Sequence, residues 1–188
     1  RFVEWASDAF LTSLRIFGMD PDEGYGVGGP NGPYVQSERI TPYQEHLHKM
    51  VRDGFAYYCF ASADEVETDR AEKEALWLPT HFQSKDRELP YDDARARVDA
   101  GESYSIRLKV PKWEKIIFDD MIRGRLEFST NDTEDAVLLK TGGIPTYHWA
   151  VVFDDHAMDV THVFRGEEWI SSIPKQVLTA RAFGIELP

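Results

Sequence analysis

The stretch Pro145-Thr146-Tyr147-His148-Trp149-Ala150-Val151-Val152-Phe153-Asp154-Asp155-His156-Ala157-Met158-Asp159-Val160-Thr161-His162-Val163-Phe164-Arg165-Gly166-Glu167-Glu168-Trp169 decides how this chain folds. Thr146 to Phe153 reads as a short helix and Thr161-His162-Val163-Phe164 as a short buried strand. Glu167 to Phe183 reads as a further helix, bent near Pro174 because proline cannot donate to the helical ladder. Arg165 thus follows a strand, and Glu167 opens a helix. In open α/β sheets, ligands collect where strands end and helices begin. A guanidinium at such a place can hold a carboxylate in a two-pronged contact. By chemistry alone, a surface or ion-pair role for Arg165 outweighs that one.

Working outward, the two ends of the chain are helical and the middle is rich in strands. Phe2, Trp5, Ala6, Ala9, Phe10, Leu14 and Phe17 recur at three and four residues on one helix face, and Gly18 stops that helix. Asp20 to Pro33 is a long Pro-, Gly- and Asp-rich surface loop. Thr41-Pro42-Tyr43-Gln44 reads as a capping box with proline at the first helical position. The helix it opens buries Tyr43, Leu47, Met50 and Val51 and ends at Gly54. Phe55 to Phe60 is a strand. Ser62-Ala63-Asp64-Glu65 is a second capping box, opening a charged helix to about Ala75. Residues 77–90 are irregular, and Tyr91 to Ala100 is a short helix closed by Gly101. Ser105 to Val110 alternates with period two, which predicts a half-buried strand carrying Arg107 and Lys109 on an open face. Ile116-Ile117-Phe118 and Leu126-Glu127-Phe128 predict an antiparallel pair, and Val137-Leu138-Leu139 another strand. Helical ends around a β-rich centre suggest an α/β domain interrupted by an inserted α+β module.

Charge sharpens this division. The chain has 33 acidic and 21 basic residues, a net charge of −12 that argues against a general nucleic-acid or anionic-membrane binder. Residues 95–125 reverse the sign, with 8 basic and 5 acidic groups. That segment alone has an electrostatic reason to meet a phosphate backbone. A single cysteine excludes an internal disulfide framework and an all-thiolate metal site within one chain. Eleven Phe, eight Tyr and five Trp suffice for a sizeable core. Both ends, at Arg1 and Pro188, read as cut.

Four other motifs carry weaker signals. Gly24-Tyr25-Gly26-Val27-Gly28-Gly29 matches a dinucleotide-type glycine pattern, but a helix precedes it and Pro30 follows, which favours a plain loop. Cys59 reads as a small buried apolar residue on a strand. His46 and His48, two apart on a helix, face different ways. Asp154-Asp155-His156, with Asp159 and His162 nearby, admits two readings. One is a hard or borderline cation site; the other is a loop whose carboxylates accept backbone hydrogen bonds.

The same stretch, 145–169, closely resembles the glutamyl-tRNA synthetases of bacterial and organellar type. The similarity extends to Gly32-Pro33-Tyr34-Val35-Gln36-Ser37-Glu38-Arg39, Ala56-Tyr57-Tyr58-Cys59-Phe60, Ile106-Arg107-Leu108-Lys109-Val110-Pro111, Phe118-Asp119-Asp120 through Arg123-Gly124, and Arg1-Phe2-Val3-Glu4. The resemblance implies an α/β fold class: an incomplete Rossmann-like class I synthetase catalytic domain with an inserted α+β acceptor-binding module. Residues 1–54 and 141–188 would be the two halves of the catalytic domain, and 55–140 the insertion, which contains the basic segment. The implied chemistry joins glutamate to ATP as glutamyl-adenylate and then moves the glutamyl group to the 3′ end of tRNA(Glu).

The resemblance further implies glutamate binding by Tyr147, Val151 and Arg165, and ATP binding by Glu168 and Trp169. It implies contact with the tRNA acceptor end by Arg107, Lys109 and Arg123. No protein nucleophile is implied, and Mg2+ would travel with ATP. Ala61 stands where some members have the second cysteine of a zinc cluster, so no zinc site is expected. The implied partners are glutamate, ATP and tRNA(Glu), with no membrane, in the cytoplasm or an organellar matrix, as a monomer. The family's two ATP-binding signatures and its anticodon-binding domains would lie outside residues 1–188, so this chain alone is expected to be inactive. Two alternatives accompany this reading: a non-catalytic synthetase-like module that binds tRNA or another partner, and the relative that glutamylates queuosine in tRNA.

Overall fold

A computed structural model describes residues 5–188. Helix α1 spans Ala6–Ile16, α2 Ile40–Arg52, α3 Ala63–Ala75 and α4 Tyr91–Asp99. Strands β1 (Ala56–Cys59), β2 (Ser105–Leu108) and β5 (Val137–Leu139) form one antiparallel sheet with β2 in the centre. Strands β3 (Lys115–Asp120) and β4 (Gly124–Ser129) form a separate hairpin. Helices α5 (Tyr147–Ala157) and α6 (Ile173–Phe183) complete the chain. Phe2, Val3 and Glu4, which the sequence assigns to the first helix, lie outside the described residues.

One core joins the sheet to three helices. Tyr43, Leu47, Met50 and Val51, the apolar face read from the sequence, all bury against it. They meet Ile106 and Leu108 from β2, Leu138 and Leu139 from β5, Trp149 from α5, and Ile173 and Leu178 from α6. Full burial of a side chain such as Leu47 stabilises the fold by about 1.5–3 kcal/mol. Trp149 also donates its indole N–H to the Tyr43 carbonyl (3.2 Å), and its ring meets Phe183 edge-on at 5.1 Å. These contacts settle α5 against α2 and α6, and so set where the outer face of α5 lies.

Four expectations are corrected. The start of α2 is not a Thr41 cap. The helix begins at Ile40 after a 3₁₀ turn at Gln36–Glu38, with no side-chain cap bond. Pro42 therefore sits within the first turn, where a missing N–H costs nothing because no partner exists there. Gln44 reaches the Gly143 carbonyl at 2.8 Å, across the fold.

The second correction concerns β2. Its supposedly open face is covered: Arg107 is only 7% exposed. Its guanidinium lies 4.7 Å over the Phe82 ring and donates to the Asp135 carbonyl at 3.1 Å. The irregular segment that follows α3 folds over this strand, which period-two alternation cannot reveal.

Third, Thr161 to Phe164 is neither strand nor buried; Phe164 is 86% exposed. A strand needs a neighbour for its ladder, and none lies beside it among the described residues. Fourth, Glu167 to Phe183 is two elements. A 3₁₀ turn, Glu167–Ser172, leads into α6, with Pro174 in the first helical turn.

Elsewhere the local chemistry works as read. Ser62 and Glu65 form a reciprocal capping box, with the Glu65 N–H donating to the Ser62 hydroxyl (3.1 Å) and the Ser62 N–H donating to the Glu65 carboxylate (2.8 Å). The loop after α1 is stitched rather than loose: the Glu23 carboxylate accepts from the Tyr34 hydroxyl (2.5 Å) and from the Asn31 backbone (3.1 Å). Gly29, at φ +139°, leaves room for that clasp, since a Cβ there would lie 2.5 Å from both the Tyr34 hydroxyl and the Glu23 side chain.

Candidate active site

Helix α5 presents Tyr147, Val151 and Asp155 at steps of four residues, so these side chains line one helical face. Tyr147 stands at the first turn, 44% exposed, with its ring 5.1 Å from that of Trp169. Trp169 and Glu168 belong to the 3₁₀ turn that follows Gly166. At the other end of the face, Asp155 borders a cleft of about 500 Å³. Arg165, Phe164 and Gln176 line the same cleft, and the tip of the β3–β4 hairpin closes its far side through Phe118 and Asp120.

Arg165 donates from Nη1 to the Gln176 Oε1 at 2.6 Å. This is the one hydrogen bond its guanidinium makes among the described residues, and the bond fixes the Gln176 amide, because only its oxygen can accept. Gln176 is 3% exposed on the inner side of α6, and its Nε2 has no partner. Burial, then the neighbouring Asp154 charge, push the Asp155 carboxyl above its usual range, while Arg165 pulls it back in part. The cleft thus sets a held guanidinium close to the Asp155 carboxylate, at the opposite end of the helical face from Tyr147. Such a seat suits a small zwitterion with a carboxylate.

Asp154 plays a different part. It turns away from the cleft, and both its oxygens lie 2.7 Å from the Tyr43 hydroxyl. Arg39 pairs with it at 3.4 Å and donates from Nη2 to the Asn31 carbonyl at 2.6 Å. Burial raises the Asp154 carboxyl, offset by Tyr43 and Arg39. Asp154, Asp155 and His156 are therefore helical rather than a ligating loop, and successive helical residues diverge. Among the described residues, no group of three or more His, Cys, Asp and Glu side chains could hold a metal ion.

The remaining sequence-predicted residues are dispersed. Lys109 donates to Glu88 at 3.0 Å, and Arg107 lies beneath Phe82. Arg123, at the hairpin tip, pairs with Glu167 at 2.5 Å and so links the hairpin to the turn carrying Glu168 and Trp169. His46 and His48 do face apart: His46 meets Phe153 and Phe183, whereas His48 contacts the Tyr58 hydroxyl at 2.9 Å. Asp155 was discoverable from its spacing after Tyr147 and Val151. Gln176 had no sequence signal, since its role depends on α6 folding back against the segment after α5.

The antiparallel sheet, the α5–α6 pair and the cleft bordered by the β3–β4 hairpin make up an α/β architecture, and comparison with known proteins identifies its class. The family of class I tRNA synthetases (E and Q), catalytic domain, matches residues 1–188, and this chain belongs to that family. Glutamate–tRNA ligases are among the proteins this chain is similar to. The glutamate–tRNA ligase of Finegoldia magna is 41% identical over 198 residues, covering 100% of this chain and 40% of that protein. That of Gloeobacter violaceus is 45% identical over 188 residues, covering 100% of this chain and 36% of that protein. A crystal structure of the glutamate tRNA ligase from Elizabethkingia meningosepticum, in complex with its amino acid, superposes with a TM-score of 0.91 at 36% identity. It is matched over 100% of this chain and 39% of its own. The chain spans about 40% of the length of the curated relatives it matches.

Proposed function

We propose that this chain is the central part of the catalytic region of a glutamate–tRNA ligase, which activates glutamate with ATP and transfers it to the 3′ end of tRNA(Glu). The observation that carries the proposal is the Arg165 seat beside the α5 face, in a chain aligned with such ligases along its whole length. In this reading Arg165 and Tyr147 hold glutamate carboxylate oxygens, and Val151, midway along the same face, forms the wall between them. Glu168 and Trp169 border the ATP site, with the Trp169 ring braced on Tyr147.

Catalysis here is positioning and charge stabilisation, with no protein nucleophile required. The carboxylate of glutamate attacks the α-phosphorus of ATP, and pyrophosphate leaves. The terminal ribose hydroxyl then attacks the adenylate carbonyl, and AMP leaves. In this reading Mg2+ arrives on the ATP phosphates, where it is usually held by the nucleotide and water with only one or two protein ligands.

The domain assignment follows: 1–54 and 141–188 belong to the catalytic domain and 55–140 to an inserted module. The module offers Lys109 and Arg123 to the tRNA acceptor end, while Arg107 braces the sheet from beneath Phe82.

The test is glutamate-dependent ATP–pyrophosphate exchange by the full-length product of the gene that encodes this chain. Exchange with glutamate and not with other amino acids is expected, and residues 1–188 alone should give none. A full-length product that binds tRNA without exchange would instead make it a non-catalytic binding module.

A further inference from the structure

Arg165 is exposed and reaches its position from an irregular segment, Val160 to Gly166, that has no ladder to hold it. An arginine side chain loses considerable rotamer entropy when it is fixed. Something must therefore restrain the guanidinium if it is to act as a preorganised seat. The acidic groups near the cleft do not: no salt bridge to Arg165 exists among the described residues. Asp120 takes the backbone N–H groups of Ile122 (2.9 Å) and Arg123 (2.8 Å) on Oδ1 and makes no direct bond to Arg165 among the described residues.

The restraint is Gln176. It is buried, it stands on a regular helix, and its Oε1 takes one guanidinium N–H at 2.6 Å. A neutral amide is suited to the task, because it fixes the guanidinium without cancelling the charge that a carboxylate needs. A carboxylate at 176 would instead occupy the seat permanently. Its buried Nε2 has no partner, an expensive omission for a residue that only fills space. That amide borders the same cleft as Arg165.

We infer that Gln176 is the positioning residue of the carboxylate seat: it orients Arg165 through Oε1. This rests on the reading of Arg165 as a glutamate ligand. Gln176→Met keeps the volume and helix propensity but removes both the acceptor and the donor. Gln176→Glu keeps the shape and the acceptor but adds a charge.

The assay is ATP–pyrophosphate exchange by the full-length gene product, with KM measured separately for glutamate and ATP and with thermal melting alongside. Gln176→Met should raise the glutamate KM about tenfold or more, with the ATP KM within about twofold and no loss of melting temperature. Gln176→Glu should weaken glutamate more severely than Met does. A purely structural Gln176 would leave the KM ratio unchanged in the Met variant, and a glutamate KM of that variant within about twofold of wild type overturns the inference. If the Met variant does not fold, Gln176→Asn, which stays polar but draws the amide back by one methylene, decides by the same criterion. Absence of glutamate-dependent exchange in the wild-type protein would overturn the proposed function and this inference together. Exchange in the wild type with unchanged variants overturns the inference alone.

Discussion

Asp135 is the deepest charged anchor of the β-rich centre, and replacing it with alanine should nearly unmake that region. Its side chain is almost completely buried, and its carboxylate accepts three hydrogen bonds. Two reach Oδ2, from the Tyr57 hydroxyl (3.0 Å) and Arg87 Nε (2.9 Å), and one reaches Oδ1, from the Val110 backbone (3.0 Å). The three donors come from β1, the segment before α4, and the end of the β2 region, so one side chain ties three stretches distant in sequence. Burial first, and then Asp135, push the Tyr57 hydroxyl well above the ordinary phenol range.

Removing one partner of a buried pair costs about 3–5 kcal/mol, because the other partner remains uncompensated. Arg87 keeps Glu88 and the Val110 carbonyl, which softens the loss, whereas the Tyr57 hydroxyl and the Val110 N–H keep nothing. The expected cost of Asp135→Ala is therefore about 4 kcal/mol. In melting temperature that is about 8–16 °C for a chain of this size. Asp135→Asn, which retains polarity but loses the charge, should cost about 1.5–3 kcal/mol. Urea unfolding of the 188-residue chain, followed by circular dichroism, measures both. In an Arg87→Met background the Asp135→Ala cost should fall by about 1 kcal/mol or more, since the pair is already broken. A loss below about 1 kcal/mol for Asp135→Ala, or strict additivity in the cycle, would refute the reasoning.

Three further outcomes are expected. Arg165→Ala in the full-length gene product should cost on the order of 2–5 kcal/mol of transition-state binding for glutamate, by leaving a carboxylate unpaired; a change under about twofold in glutamate kinetics would remove Arg165 from the site. The Asp155 carboxyl is raised in the folded state, so the native chain holds that proton where the unfolded chain has released it, and ionisation of Asp155 opposes folding as pH rises above the ordinary carboxylate value of about 3.9. Asp155→Asn should therefore be more stable than wild type at neutral pH, with the advantage shrinking as pH falls toward that value, and an advantage independent of pH in urea unfolding would contradict this origin. Ser62→Ala removes half of a capping box from a helix with no buried residues, so amide exchange across Ala63–Ala75 should speed by about fivefold, about 1 kcal/mol, while the global melting temperature barely moves.

Much of the architecture was legible from local rules. The period-3.6 spacing of Tyr43, Leu47, Met50 and Val51 names the buried face of α2, and the Ser62 box marks the start of α3 to the residue. The hairpin Lys115–Ser129 follows from two apolar runs flanking a polar turn. Errors arose where a segment's state depends on what covers or pairs with it. Arg107 alternates like a surface residue and is buried by a loop some 25 residues upstream. Phe164 sits in a run with strand character and lies exposed, because a strand is a property of two segments.

The sequence by itself determined the family, the helical ends, the strand-rich centre and the chemical types gathered between Tyr147 and Trp169. Those follow from side-chain identity and short-range spacing, which the chain carries whether or not it is folded. Only the tertiary structure decided which of those groups share a place. It turned Asp154 inward to Tyr43 and Asp155 toward the cleft, although the two are adjacent, because successive helical side chains point about 100° apart. It also brought Gln176 to Arg165. That contact spans eleven residues across a turn, and no local pattern encodes it.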